Sequence, residues 1–236
     1  RGSRGHTSTA VVTGKPIEMG GSLGRREATG RGVTVATAEA ARHLGLSLNG
    51  LRVAIQGFGN VGSVSADLLA KAGAHVVGVT DWQGGVYRAS GLDVPALLAW
   101  TGVHKTVEGF PGGDRLTNAE LFALDVDVMI PAALENQITV DNAPAIRARI
   151  LVEAANGPTT PEAHQQLHDR GVFVVPDILA NASGVTASYF EWVQNRHGYF
   201  WTEQEVVGRI EQKMREAFAT VLQTMTTHRT DMRTAA

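Results

Sequence analysis

The stretch from Gln56 to Gly62, QGFGNVG, combines residue types and spacing that suit chemistry. Gly57, Gly59 and Gly62 stand between an apolar run and an apparent helix, and Asp81 follows 19 residues after the third glycine. Each position has a physical task in holding a dinucleotide. Gly57 permits a tight turn, Gly59 lets the backbone approach a pyrophosphate, and Gly62 lets helix and strand pack closely. Phe58, Asn60 and Val61 complete the loop, and the helix that opens there offers free N–H groups to the phosphates. Asp81 can accept hydrogen bonds from ribose hydroxyls; the alternative is a cap on a turn before Gly84-Gly85. An aspartate favours NAD over NADP, because a 2′-phosphate would face like charge. Arg88 is the nearby residue that would offset this for NADP.

Other chemistries find less support. The chain has no cysteine, which excludes disulfides, thiolate catalysis and cysteine-ligated zinc. Among the eight histidines only His164 and His168 share ligand-like i,i+4 spacing, without a third ligand nearby, so they are read as a surface helix and no metal is expected. A net charge of −2 gives no broad attraction for nucleic acid. No apolar run reaches the length of a membrane span and no signal-peptide pattern opens the chain, which fits a cytoplasmic setting. The aromatic group Tyr189, Phe190, Trp192, Tyr199, Phe200 and Trp201 is read as helix packing.

The elements that must position the loop follow from periodicity. Short apolar runs at Leu51–Ile55, Val76–Val79, Val126–Ile130, Ile150–Val152 and Val172–Val175 have the character of buried parallel strands. Between them lie helical patterns. One starts after Gly32 and one at Asn60. Asp93 opens a third, and a fourth is marked by the capping pair Thr117 and Glu120. Pro161 opens another that Gly171 ends, and a helix runs through Tyr189, Phe190 and Val193. Thr202 and Glu205 cap a long last helix with Val206, Ile210, Met214, Ala217, Val221 and Met225 on one side. Alternation of this kind predicts a Rossmann-like, doubly wound α/β fold, its mostly parallel sheet covered on both faces, over residues 1–236.

Four more segments join the glycine loop in one pattern: TGKPIEMGGSLGRREATGRG (Thr13–Gly32), IPAALENQIT (Ile130–Thr139), EAANGPTTPEA (Glu153–Ala163) and PDILANASGVTASYFEW (Pro176–Trp192). Together, in this order, they resemble the C-terminal cofactor domain of the glutamate dehydrogenases, within the Glu/Leu/Phe/Val dehydrogenase superfamily. The resemblance implies NAD(P)-dependent oxidative deamination of L-glutamate to 2-oxoglutarate and ammonia. By position it assigns Thr29, Ala132, Asn156 and Asn181 to the cofactor, mostly near the nicotinamide and its ribose, and Arg25 and Ser188 to the substrate side. An arginine suits a carboxylate because its planar fork donates two hydrogen bonds. The bland alternatives are a helix cap for Thr29, a surface charge for Arg25 and a turn residue for Asn156.

One position departs from the family's usual ANAGGV. Ser183 replaces a glycine; the serine either fits there, or crowds the cleft or narrows the allowed backbone angles. The family's catalytic lysines and aspartate lie in an N-terminal substrate domain. The lysines here, Lys15, Lys71, Lys105 and Lys213, lack that context, so no catalytic residue is expected in this chain. The chain is read as a fragment without that domain and without the family's terminal helix, from a parent that the resemblance makes a hexamer. Two alternatives stay open: a leucine, phenylalanine or valine dehydrogenase, and a non-catalytic regulatory subunit that binds nucleotide or effector.

Overall fold

The computed structural model describes residues 9–236. In chain order it forms α1 (Ala28–His43), β1 (Arg52–Gln56), α2 (Asn60–Lys71), β2 (His75–Thr80), β3 (Gly85–Tyr87), α3 (Val94–His104), β4 (Asp114–Leu116) and α4 (Asn118–Phe122). The second half adds β5 (Val128–Pro131), β6 (Ile150–Val152), α5 (Pro161–Asp169), β7 (Phe173–Val175), α6 (Asp177–Ala180), α7 (Ser183–His197), α8 (Glu203–His228) and α9 (Met232–Ala235). Helix starts follow local chemistry. The Asp93 carboxylate accepts from the Ala96 N–H, and both Thr117–Glu120 and Thr202–Glu205 form complete capping boxes.

The strands form one sheet in the order β4-β3-β2-β1-β5-β6-β7. β1 pairs in parallel with both β2 and β5, and β5, β6 and β7 continue in parallel. The five expected strands are all present, with boundary shifts of one or two residues. β3 and β4 are additional and antiparallel. Each has three residues, too short to leave a periodic signal, and Gly84-Gly85 proves to be the entry to the β2–β3 hairpin.

Alternation along β1 assigns the two faces. Val53 and Ile55 pack with residues of α1, α2 and α3, whereas Ala54 packs with Leu121, Phe122 and Leu167 from α4 and α5. This is the doubly wound arrangement. A third cluster joins α1, α7 and α8 through Ala28, Ala187, Phe190, Val206, Ile210 and Met214. Val206, Ile210, Met214 and Phe218 recur every four residues on α8 and are buried, each contributing ~1.5–3 kcal/mol by leaving water. Helix α1 begins at Ala28, before the start predicted after Gly32. Gly30 and Gly32 are close-packing positions inside it, and a Cβ on Gly30 would stand 2.6 Å from Val64 of α2. Among the described residues no helix is long and apolar enough to cross a membrane.

Candidate functional site

The strand order reverses at β1, with β2 on one side and β5 on the other, so the chain leaving β1 and the chain leaving β5 lead to helices on opposite faces of the sheet. This is the place where open α/β sheets bind ligands. The glycine loop leaves β1 at that point, and the segments after β5, β6 and β7 emerge from the same edge of the sheet. A cleft of ≈ 1100 Å³ lies over this edge. Seven of the expected residues, Arg25, Thr29, Val61, Ala132, Asn156, Asn181 and Ser188, line it.

The three loop glycines differ in what confines them. Gly57 has φ +90°, and a Cβ there would lie 2.8 Å from the backbone of Ala132 and Ala133, so it lets the β1 and β5 loops touch. A Cβ on Gly62 would lie 1.8 Å from the Gly57 carbonyl oxygen, which fixes how closely α2 meets the end of β1. Gly59 is the opposite case: a Cβ there meets nothing within 4 Å. No side chain caps α2, so the N–H groups of its first turn, from Asn60, Val61 and Gly62, keep their donor capacity beside that open space. Phe58 packs against the core instead of entering the cleft.

Asp81 ends the run out of β2 and is structurally engaged. Its Oδ1 accepts from the N–H groups of Gln83 (2.9 Å) and Gly84 (3.2 Å), and its Oδ2 from that of Val107 (2.7 Å). Its carboxylate therefore caps the β2–β3 turn, and the lone pairs that remain are those available to a ribose. Arg88 is placed elsewhere. Its N–H bonds to Val77, four residues back along β2 and on the order of 13 Å from Asp81 at the rise of a strand, and its Nε donates to Ser90. The hairpin has carried it to the other end of the strand, so it does not offset the charge of Asp81.

At the far end of the cleft the Asn181 amide donates to Asn156 Oδ1 (2.7 Å) and to the Ala154 carbonyl (3.3 Å), which joins the loops after β6 and β7. Thr29 is the second residue of α1, inside the helix and not its cap, and a Cβ on Gly184 would stand 2.6 Å from its Oγ1. Ser188 lies in the second turn of α7, because the helix begins at Ser183. Its hydroxyl donates to the Gly184 carbonyl (3.2 Å), which excludes a capping role.

Arg25 lines the cleft with its guanidinium already paired. Nη1 meets Glu191 Oε2 at 2.6 Å. Glu191 is fully buried and also receives Lys15 Nζ at 2.7 Å and the Gly14 N–H at 2.9 Å. Burial alone would raise this carboxyl, but the hydrogen bonds from Lys15, Gly14 and Arg25 outweigh it and hold Glu191 below the usual carboxylate range. The fork expected to meet a substrate carboxylate is thus held by a carboxylate of the chain itself. Glu191 stands inside TASYFEW, but nothing local marks it; its partners are more than 160 residues away.

Other expectations change with the fold. His164 belongs to no surface: it is 9% exposed, with both ring nitrogens unbonded and Asp231 Oδ1 3.6 Å from Nε2. Burial, followed by Arg233, lowers its pKa. Among the described residues no group of three potential ligands assembles around a metal position. The aromatic group divides. Phe190 is buried edge-on to Trp201, whereas Tyr189, Trp192, Tyr199 and Phe200 are exposed, so packing accounts for only part of it.

Ser183 neither crowds the cleft nor strains the backbone. It is fully buried at the start of α7, outside the positive-φ region and away from the cleft lining. It faces Gly32, where a Cβ would lie 2.0 Å from Ser183 Oγ. Gly32→Ala is therefore expected to destabilise the chain by ~1–3 kcal/mol, the usual range for overpacking. Adding Ser183→Gly should recover most of that loss, as read from melting curves of the two single variants and the double variant. Strictly additive effects would show that the two residues do not share the space.

A model of the Glutamate/Leucine/Phenylalanine/Valine dehydrogenase family matches residues 20–236. The chain is 51% identical over 98% of its length to a protein named glutamate dehydrogenase from Thermotoga maritima, and 50% identical over 97% to the catabolic NAD-specific glutamate dehydrogenase RocG of Bacillus subtilis. It covers 56% and 54% of those proteins, so the chain spans about half the length of the curated relatives it matches. Among solved structures it resembles a hetero-hexameric glutamate dehydrogenase from Thermus thermophilus, with TM-score 0.91 and 36% identity over 96% of this chain and 54% of that one. The glutamate dehydrogenase of Peptoniphilus asaccharolyticus is similar too, with TM-score 0.84 and 38% identity over 96% and 53%. A doubly wound sheet, a glycine loop at its switch point and a match over most of the length agree: the chain belongs to the Glutamate/Leucine/Phenylalanine/Valine dehydrogenase family.

Proposed function

We propose that this chain is the dinucleotide-binding half of an NAD-dependent glutamate dehydrogenase. The observation that carries the reading is the open space at Gly59, where a side chain would meet no protein atom although Gly57 and Gly62 on either side are tightly confined. A pyrophosphate fits that space by charge and by hydrogen bonding, on the uncapped start of α2. Gly59, Asn60, Val61 and Gly62 would hold the phosphates, Asp81 the adenosine ribose, and Ala132 the wall between them. Thr29, Asn156 and Asn181 would hold the nicotinamide end, which accepts a hydride when the cofactor is bound. Ser188, on the same cleft, would meet the distal carboxylate of glutamate. Hydrogen-bonding chemistry there favours glutamate over an apolar amino acid, as do the names of the relatives. The regulatory-subunit reading rested on Ser183, which lies off the cleft.

Titration calorimetry with NADH and NADPH tests this. The chain is expected to bind NADH and to prefer it over NADPH. Asp81→Ser should weaken NADH by ~1–3 kcal/mol while NADPH is unchanged or improved. Because Asp81 also caps a turn, the NADH-to-NADPH ratio is the deciding quantity; lost capping weakens both alike. A wild-type preference for NADPH would overturn the assignment. The chain alone is expected to show no turnover of glutamate, since the catalytic lysines and aspartate of this family belong to another domain, and turnover by pure protein would refute that division of labour.

A further inference from the structure

Glu153 follows β6 directly and is fully buried, an expensive place for a carboxylate, and it is not among the residues that line the cleft. It meets two partners from distant parts of the chain. Oε1 receives Arg233 Nη2 from α9 at 2.5 Å, and Oε2 accepts the Asp177 N–H at the start of α6 at 3.1 Å. Asp177 in turn accepts the Gly157 N–H through Oδ2 at 2.7 Å, and its carbonyl accepts the Asn181 N–H at 3.0 Å. Asn181 then donates to Asn156. The hydrogen bonds therefore run from α9 through one buried carboxylate to both asparagines of the cleft.

We infer that Glu153 is a positioning residue: with Arg233 and Asp177 it fixes the loop bearing Asn156 against the helix bearing Asn181, and so ties α9 to the nicotinamide end of the cleft. Its meaning for catalysis rests on the proposed function; the linkage itself does not. The charged groups that face Glu153 are Arg233 from α9 and Asp177 from α6; Arg233 in turn acts on His164, whose Nε2 lies 3.6 Å from Asp231 Oδ1. Burial raises the Glu153 carboxyl above its ordinary range and Arg233 opposes that. Without Arg233 the carboxyl therefore takes up a proton at higher pH. Once neutral it accepts the Asp177 N–H more weakly.

Three variants test the linkage: Glu153→Gln, Arg233→Met and Arg233→Lys. In unliganded protein, hydrogen exchange at the Gly157 amide should accelerate in the first two, while the Met129 amide in β5 stays protected relative to global stability. NADH affinity of Glu153→Gln should fall roughly tenfold, the lower range for partners that orient ligand-binding groups. In Arg233→Met the loss of NADH affinity on acidification should begin at a higher pH than in wild type, and Arg233→Lys should restore the wild-type profile. A purely structural role would speed exchange uniformly and leave the pH profile in place, and either result overturns the inference. If Glu153→Gln fails to fold, the two Arg233 variants carry the test, since that side chain is one-third exposed. If wild-type protein binds no NADH, the functional proposal fails and the Gly157 exchange rates alone decide the linkage.

Discussion

Gly59→Val is expected to cut NADH affinity more than about a hundredfold, ~3 kcal/mol, by displacing the pyrophosphate from its charged hydrogen bonds. The melting temperature should stay within a few degrees of wild type. A Cβ at Gly59 meets no protein atom, and its φ of −78° is open to any residue. The only structural cost is a poorer residue at the helix cap, ~1 kcal/mol. Gly62→Ala is the control with the opposite outcome. Its single methyl would stand 1.8 Å from the Gly57 carbonyl oxygen, and stability should fall by ~3 kcal/mol or more as α2 is pushed off β1. Calorimetry and circular dichroism on both variants separate a binding position from a packing one, although both lie in one six-residue motif. Unchanged NADH affinity in Gly59→Val would remove the loop as the site.

If the chain serves the proposed glutamate dehydrogenase, Ser188→Ala in the active enzyme should lower kcat/KM for glutamate about ten- to hundredfold, the equivalent of ~1.5–3 kcal/mol for a hydrogen bond to a charged group. Norvaline, whose side chain has no use for a hydroxyl, should lose far less, so specificity moves toward apolar amino acids. The fold sharpens this expectation. Ser188 is interior to α7 and its hydroxyl bonds back to the Gly184 carbonyl, an arrangement that slightly weakens a helix. Alanine should therefore leave the melting temperature unchanged or raise it. Kinetics with both substrates beside a melting curve check the point. Equal losses for the two substrates would sever Ser188 from glutamate recognition.

Much of this protein is written locally. The five parallel strands are built on short, mostly apolar runs, because a strand covered on both faces has little room for polar groups without partners. Helix starts at Asp93, Thr117 and Thr202 depend on side chains within three residues of the N–H groups they satisfy, so a short window of sequence contains the whole interaction. The GxGxxG spacing is likewise local; the fold gives Gly57 and Gly62 the turn and close-packing reasons expected of them, whereas a Cβ on Gly59 would meet only open space.

What the sequence left open depends on partners far along the chain. Strands β3 and β4 have too few residues for a period; only the pairing of β4 with β3, and of β3 with β2 in a hairpin, defines them. That hairpin decides Arg88, which is seven residues from Asp81 in sequence yet at the other end of the strand. The helix predicted to start after Gly32 begins at Ala28, because Gly30 and Gly32 are the positions where α2 and α7 press against it, with Ser183 buried against Gly32. Arg25 keeps company with Glu191, and Glu153 with Arg233, 166 and 80 residues apart. Residue types alone determined that a dinucleotide could be held at the end of β1. Which charges face the cleft, and which are spent on one another behind it, was decided only when the chain closed, because an ion pair is a matter of distance in space and leaves no spacing to read.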